Sequence, residues 1–426
     1  MHYSWDTYRL YYDETLFSRA VRVRVIMKEE VRIDILRKSV NIAIQRYPYY
    51  SVKAAVDGYG AYVLLHNPRK IVVLPTRETL PDLCTEEINE HLLYLDTEGR
   101  DIYFNISHSL SGGKGIIPFL MTCMWQYILD CYGIEAYAPA IRKPGSPLLP
   151  DEVREPEDSI LDHGKAIYEY PGNNPAVMIR DYLAGLFIPW MRNPNYRIIT
   201  FQQKDLVYYT KGHDASIASL FLVVMAKALD RVLPEKEKII GGEIAHSPCA
   251  NFGIPNAHCD LLTHVHIDYD RALLRRNMTF LSTVTRGSII LQTDPSVSSA
   301  ELRKLFSLYE ELDEIRGLRN KLKFMKRRNP SSGKDAKHGT FIVNYAGWTD
   351  WGEIADYVES FFPITEGHLL TEITSIGSRI VLSFMQLLDE DKYFNAFLSV
   401  LDDLNIPYKT DGPFPKRLVK HRLPKR

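Results

Sequence analysis

Between Glu30 and Arg46 the apolar residues recur at helical spacing. Val31, Ile35, Leu36, Val40, Ala43 and Ile44 share one face, and Pro48 helps to stop the helix soon after. From Tyr50 to His66 apolar positions alternate on either side of Asp57-Gly58-Tyr59-Gly60, which predicts a hairpin. Glu86–Tyr94 reads as a short helix. The clearest strand is Asp101–Ser107, with Ile102, Phe104 and Ile106 on one face and Tyr103, Asn105 and Ser107 on the other. That strand runs into His108-Ser109-Leu110-Ser111-Gly112-Gly113-Lys114-Gly115. An apolar run with the length of a helix follows, from Ile116 to about Cys131. Pro118 fits only near the start of that helix, because it lacks an N–H and clashes with the preceding turn. The local order is therefore strand, glycine turn, helix.

Tyr137–Asn174 is rich in Pro, Asp and Glu and has weak periodicity, as expected of a linker. A second stretch of mixed elements follows. Ala215–Val232 is a strong helix, Thr263–Ile267 a strand and Ser299–Leu322 a long charged amphipathic helix. Lys321–His338 reads as a basic loop, Thr340–Asn344 and Ile376–Gln386 as strands, and Asp391–Leu404 as the last helix. There is no internal repeat and no low-complexity block.

Composition narrows the class. A chain of 426 residues with 45% apolar and 25% charged content builds large cores without staples. A formal net charge of −1 gives no global attraction to a polyanion. Two local basic runs, Lys321–Lys337 and the tail from Lys416 to Arg426, are expected to be mainly solvated. They lack the interleaved aromatic residues of a single-strand nucleic-acid platform. Cys84, Cys123, Cys131, Cys249 and Cys259 are odd in number, widely spaced and without a CxxC pair, which fits a reducing compartment. The N-terminus lacks signal-peptide features, and the apolar runs Ile116–Leu129 and Ile217–Ala226 fall short of the roughly 20 residues of a membrane span. The expectation is a cytoplasmic protein with no transmembrane segment and no nucleic-acid partner.

His108 is the residue that points to chemistry. It stands at the end of an apolar strand with a fixed backbone, and an imidazole there takes a proton from a hydroxyl or amine near neutral pH. The glycines after it allow close backbone approach to a substrate. Rival readings are weaker. Gly112-Gly113-Lys114-Gly115 lacks the spacing of a phosphate loop. Ser111 lacks the GxSxG elbow of a hydrolase nucleophile. His246, Cys249, His258, Cys259, His264 and His266 cluster in sequence, but in no compact metal-binding spacing, so no metal is expected.

The strand–His–x–x–x–x–Gly–helix layout resembles the HxxxDG motif of the chloramphenicol-acetyltransferase-like superfamily, nearest its alcohol acetyltransferase and polyketide-associated acyltransferase branch. Other segments resemble it in order. They are Glu30-Val31 through Arg46-Tyr47-Pro48, the acidic Glu155-Pro156-Glu157-Asp158-Ser159, and Phe341-Ile342-Val343-Asn344-Tyr345-Ala346-Gly347. The resemblance implies an α/β fold of two similar lobes, each a mixed sheet with helices, with a tunnel between them. The lobes would divide near residue 175, into 1–175 carrying the histidine and 176–426. It implies acyl transfer from a thioester, carried by coenzyme A or the phosphopantetheine of an acyl carrier protein, to an alcohol or amine. His108 would be the general base, and Ser111, Gly112, Gly113, Asn344, Tyr345 and Gly347 would line the substrate site, Asn344 facing the histidine. No tightly bound cofactor would be needed, and the protein would be a monomer or weak oligomer.

The sequence departs from the motif at one position. The family's aspartate, which there pairs with an arginine and holds the loop, falls at Gly112. The segment resembling the arginine's, Ala250-Asn251-Phe252-Gly253, contains no arginine. Losing both partners leaves no uncompensated charge. The departure nevertheless raises a second expectation, a catalytically degenerate homologue that binds a lipid, a polyketide-like molecule or a partner protein. A peptide-synthetase-type condensation protein is a third, although Ser107 stands where such proteins carry another histidine.

Overall fold

A computed structural model describes residues 5–15, 20–156, 164–171, 192–234, 239–328, 339–367, 369–388 and 390–425. In chain order its strands are β1 (Val21–Met27), β2 (Val52–Val56), β3 (Tyr62–His66), β4 (Val73–Pro75), β5 (Leu93–Glu98), β6 (Asp101–Ile106), β7 (Arg192–Gln202), β8 (Ile240–His246), β9 (Thr263–Tyr269), β10 (Phe341–Tyr345), β11 (Val358–Ile364), β12 (Leu370–Ile376), β13 (Arg379–Leu388) and β14 (Lys409–Pro415). They form a five-stranded sheet ordered β11-β1-β6-β5-β4, a seven-stranded sheet ordered β14-β7-β13-β12-β10-β8-β9, and the hairpin β2-β3. Both large sheets are mixed. The first has the parallel pair β4/β5 and the second has β10 parallel to both β8 and β12.

Each large sheet has its own core. On the first, helix α2 (Ile33–Ala43) turns Leu36, Val40 and Ala43 inward, against helix α3 (Gly113–Tyr132) and against Val23, Val25, Ile102 and Phe104 of the sheet. Helix α3 is apolar almost all round, and its buried Phe119, Leu120, Met121, Cys123 and Met124 make it central, as such a pattern requires. On the second sheet the helices Ile217–Val232 and Lys392–Asp403 cover Ile199, Phe201, Ile240, Leu382 and Phe384. No helix among the described residues is long and apolar enough to cross a membrane.

The two sheets are not independent. Strand β11 lies far along the chain, yet it pairs antiparallel with β1 at the edge of the first sheet. Its other face packs Phe362 and Ile364 against Tyr196, Ile198, Val381 and Met385 of the second. Thr374 and Ser383 donate side-chain hydrogen bonds to the carbonyls of Phe361 and Pro363. The C-terminal tail also returns to the first half. Leu83 exchanges backbone hydrogen bonds with Lys420 and Arg422, and the Arg422 guanidinium meets Asp82 at 2.6 Å. Part of the basic tail is thus built into the fold.

Several expected elements differ in form. Glu86–Tyr94 holds only the 3-10 turn Glu86–Ile88 before β5 begins at Leu93. The expected helix Ser299–Leu322 is two helices, Pro295–Glu314 and Leu318–Arg328. They break at Gly317 (φ +83°), whose N–H donates to the carbonyl of Tyr59 in the β2–β3 turn. The second helix takes up residues 321–328 of the expected basic loop, and residues 329–338 lie outside the described set. The expected strand Ile376–Gln386 is the turn between β12 and β13 followed by β13 itself. Within the expected linker, residues 157–163 and 172–174 lie outside the described set, as does the expected lobe boundary near 175.

Candidate active site

The turn that carries His108 is closed on itself and tied down from outside. Strand β6 ends at Ile106, and the Ser107 hydroxyl then accepts from the Ser109 amide at 3.1 Å and donates to Asp13 Oδ2 at 2.9 Å. Asp13 belongs to helix α1 (Arg9–Thr15), and Arg9 stands one turn earlier on the same helical face. His108 itself is half-buried. Its Nδ1 lies 3.3 Å from the carbonyl oxygen of Ser111. A carbonyl only accepts, so Nδ1 carries the proton and Nε2 keeps its lone pair. Among the described residues Nε2 has no hydrogen-bond partner. Burial pushes the His108 pKa below the usual 6.5; Arg9 pushes the same way, while Asp260, Asp13 and the Ser111 carbonyl oppose it. A half-buried imidazole, neutral at physiological pH and with one free nitrogen, is what a general base requires.

The wall beside this turn comes from the segment around His258. The His258 carbonyl accepts from the Ser111 hydroxyl at 2.6 Å and from the Gly112 amide at 3.3 Å. Lys114 Nζ donates to the Pro255 carbonyl at 3.2 Å. The glycines make room for this segment of the protein itself. A Cβ on Gly115 would stand 2.1 Å from Ser111 Oγ, 2.8 Å from His258 Cβ and 2.9 Å from the Tyr50 hydroxyl. Gly113, by contrast, has nothing within 4 Å of such a Cβ. Gly115→Ala is therefore expected to cost about 1–3 kcal/mol by overpacking, against a near-neutral Gly113→Ala control. Urea unfolding of the two variants measures the difference.

Behind His258 lies a buried ion-pair network. Glu152 accepts from Arg46 Nη2 at 2.7 Å, from Arg142 Nε at 2.9 Å and from the Leu149 amide at 3.0 Å, and its own carbonyl accepts from the His258 amide at 3.0 Å. Burial alone would raise the Glu152 carboxyl, but Arg46, the Leu149 amide and Arg142 outweigh it and hold it below the ordinary range. The Tyr49 hydroxyl is hydrogen-bonded to His258 Nδ1, and burial pushes the His258 pKa down to about 4. Arg46 thus helps to fix the loop that borders the His108 turn.

The structure brings together His108, Ser111, Gly112 and Gly113. No hydrogen bond among the described residues joins this turn to Asn344, Tyr345 or Gly347. Asn344 and Tyr345 stand on β10, and Gly347 (φ +81°) follows it. Asn344 Nδ2 donates to Glu372 Oε1 at 2.9 Å, and its Oδ1 accepts from the Ala245 amide at 3.2 Å. Burial raises Glu372 to about 7, with the Asn344 amide opposing. His264 Nδ1 lies 2.7 Å from Glu243 Oε1, and Cys249 and Cys259 carry free thiols. Among the described residues no three His, Cys, Asp or Glu side chains converge as a metal site. An open groove of about 790 Å³, lined by Tyr208, Tyr209, His213, Met278, Asp403 and Leu404, shares no residue with the His108 turn.

With the geometry in place, comparison with solved structures decides the fold. Polyketide synthase associated protein 5 from Mycobacterium tuberculosis superposes with a TM-score of 0.60 at 11% identity, over 92% of this chain and 95% of that one. TRI101 of F. graminearum, complexed with coenzyme A and T-2 mycotoxin, gives 0.57 at 10% identity, over 95% and 98%. The first condensation domain of the calcium-dependent antibiotic synthetase, with a substrate analogue, gives 0.57 at 12% identity, over 97% and 96%. The chain has the CoA-dependent acyltransferase and condensation fold. No protein-family model matches it, and no curated protein matches it by sequence. At these identities the likeness is one of fold. What the fold does here has to be argued from the His108 turn.

Proposed function

We propose that this protein transfers an acyl group from a thioester to a hydroxyl or amine, with His108 as general base. The supporting observation is the His108 imidazole, with Nδ1 held by the Ser111 carbonyl and Nε2 unpartnered among the described residues. The acceptor's O–H or N–H donates to Nε2, and the deprotonated nucleophile attacks the thioester carbonyl. Collapse of the tetrahedral adduct expels a thiolate, which takes back the proton from the imidazolium. The donor carrier is coenzyme A or a carrier-protein phosphopantetheine, reached through a tunnel between lobes that divide near residue 175. Coenzyme A fits the reading because TRI101, a trichothecene acetyltransferase of the same fold, was solved with it. The Asn344 amide is engaged with Glu372 and Ala245, so no oxyanion donor is assigned to it.

Gly112 favours a second reading, a homologue that keeps the fold and only binds. Thiol release from acetyl-CoA and longer acyl-CoAs, measured over a panel of alcohols and amines, separates the two. Release that rises with acceptor concentration supports transfer. Acyl-CoA binding with no acceptor-dependent release over the whole panel favours binding alone.

The pH profile follows from the direction of the His108 shift. The base works only when neutral, and its pKa lies below 6.5. The acid limb of kcat/KM is thus expected to reach half-maximum below pH 6.5, with a flat region from there toward pH 8. A limb centred above 7 would contradict the assignment.

A further inference from the structure

Asp260 takes no part in the proton transfer described above, yet its carboxyl is held in an unusual place. Its side chain is only 4% exposed. Oδ2 lies 3.6 Å from Arg9 Nη1, while Oδ1 is buried and, among the described residues, has no hydrogen-bond partner. That same Oδ1 lies 2.7 Å from the point a Cβ on residue 112 would occupy. The backbone of Gly112 (φ −80°, ψ −175°) is ordinary extended chain, open to any residue. A side chain at residue 112 would therefore compete for space with the Asp260 carboxyl, which would have to shift.

The main chain holds Asp260 there from both ends. Its amide donates to Asp6 Oδ1 at 2.9 Å, and its carbonyl accepts from Trp5 Nε1 at 3.3 Å. Two residues earlier, the His258 carbonyl receives the Gly112 N–H. That N–H belongs to the same peptide group as the Ser111 carbonyl, which holds His108 Nδ1. A peptide group is planar, so clamping its N–H side fixes the direction of its carbonyl. The helix that provides Arg9 also provides Asp13, which holds Ser107. The His258 carbonyl, two residues before Asp260, and the Asp13–Ser107 bond thus hold the His108 turn from its two sides.

We infer that Asp260, paired with Arg9, is a positioning residue for His108, supplying from a distant segment the carboxylate that residue 112 does not carry. The pair anchors the segment whose His258 carbonyl clamps the Ser111–Gly112 peptide, and through that peptide the imidazole. Asp260 also adds a negative charge that opposes the burial-driven fall of the His108 pKa. The inference rests on His108 as the base, but one arm of its test does not depend on turnover.

The test compares wild type, Asp260→Asn, Gly112→Asp and the swap Gly112→Asp/Asp260→Gly. The readouts are the NMR titration of His108, assigned by its loss in His108→Gln, and acceptor-dependent thiol release. Asp260→Asn is expected to shift the titration to lower pH and to lower kcat on the order of tenfold to a hundredfold, with KM nearly unchanged. Gly112→Asp alone sets two carboxylates in one space against one arginine and is expected to do worse. The swap is expected to regain most of the wild-type titration and kcat. Should Gly112→Asp fail to accumulate, the swap against Asp260→Asn carries the comparison. An unchanged titration and kcat in Asp260→Asn, or a swap no better than Asp260→Asn, overturns the inference. If the wild type shows no turnover, the acyl-transfer reading fails, and the titrations alone decide the role of Asp260.

Discussion

His108→Gln is expected to lower acceptor-dependent thiol release by on the order of a hundredfold to ten-thousandfold, the usual contribution of a positioned base. The fold should barely notice. The ring is half-buried and, among the described residues, makes one hydrogen bond, 3.3 Å from Nδ1 to the Ser111 carbonyl, which a glutamine amide can also make. The glutamine has no lone pair of comparable basicity to offer at the position of Nε2. The melting temperature and acyl-CoA affinity of the variant should therefore stay close to wild type while kcat collapses. A fall in kcat matched by an equal loss of folded protein would count against the catalytic role. The kinetics and a thermal melt on the same preparation distinguish the two.

The largest stability effect is expected at the opposite face of the first sheet. Arg22 of β1 and Asp96 of β5 are 3% and 1% exposed and form a bidentate pair at 2.6 and 2.7 Å. Asn105 of β6 bridges them, accepting from Arg22 at 2.7 Å and donating to Asp96 at 2.8 Å, and the Thr76 hydroxyl also donates to Asp96. Asp96→Leu leaves the Arg22 charge buried without a counter-charge, and such a break costs about 3–5 kcal/mol. The double variant Arg22→Met/Asp96→Leu removes both charges and is expected to be markedly more stable than the single one. Urea midpoints at unchanged m-value measure both. A single variant as stable as wild type would mean the pair does not hold the sheet.

Much of the first half was legible because its signals are local. The α2 stripe, the β2–β3 hairpin and the order strand, His108, glycines, helix each occupy one continuous stretch, and each has its counterpart in the structure. Non-local features were not legible. Strand β11 joins a sheet whose other members lie more than 250 residues earlier, and nothing in Val358–Ile364 names its partner. The break at Gly317 depends on the Tyr59 carbonyl, which only the fold brings near.

The site divides the same way. His108, Ser111, Gly112 and Gly113 could be read as one motif, and the turn holds them together. Arg9, Asp13, His258 and Asp260 come from segments some 95 residues before and 150 after, and no spacing rule links them to the motif. The glycines were expected to admit a substrate. At positions 112 and 115 the space a Cβ would take is met by Asp260 and by Ser111, His258 and Tyr50. The one available signal was Gly112 itself. A missing carboxylate at a motif position invites a search for another, and His258-Cys259-Asp260 lies just beyond the segment that seemed to lack its arginine.

The most direct test of the central claim is a crystal structure of the protein with coenzyme A and a bound alcohol or amine acceptor. We expect the thiol and the acceptor's nucleophile to meet at His108, with the nucleophile about 3 Å from Nε2, the reach of a general base. Coenzyme A bound elsewhere, with Nε2 closed off by packed side chains, would contradict it.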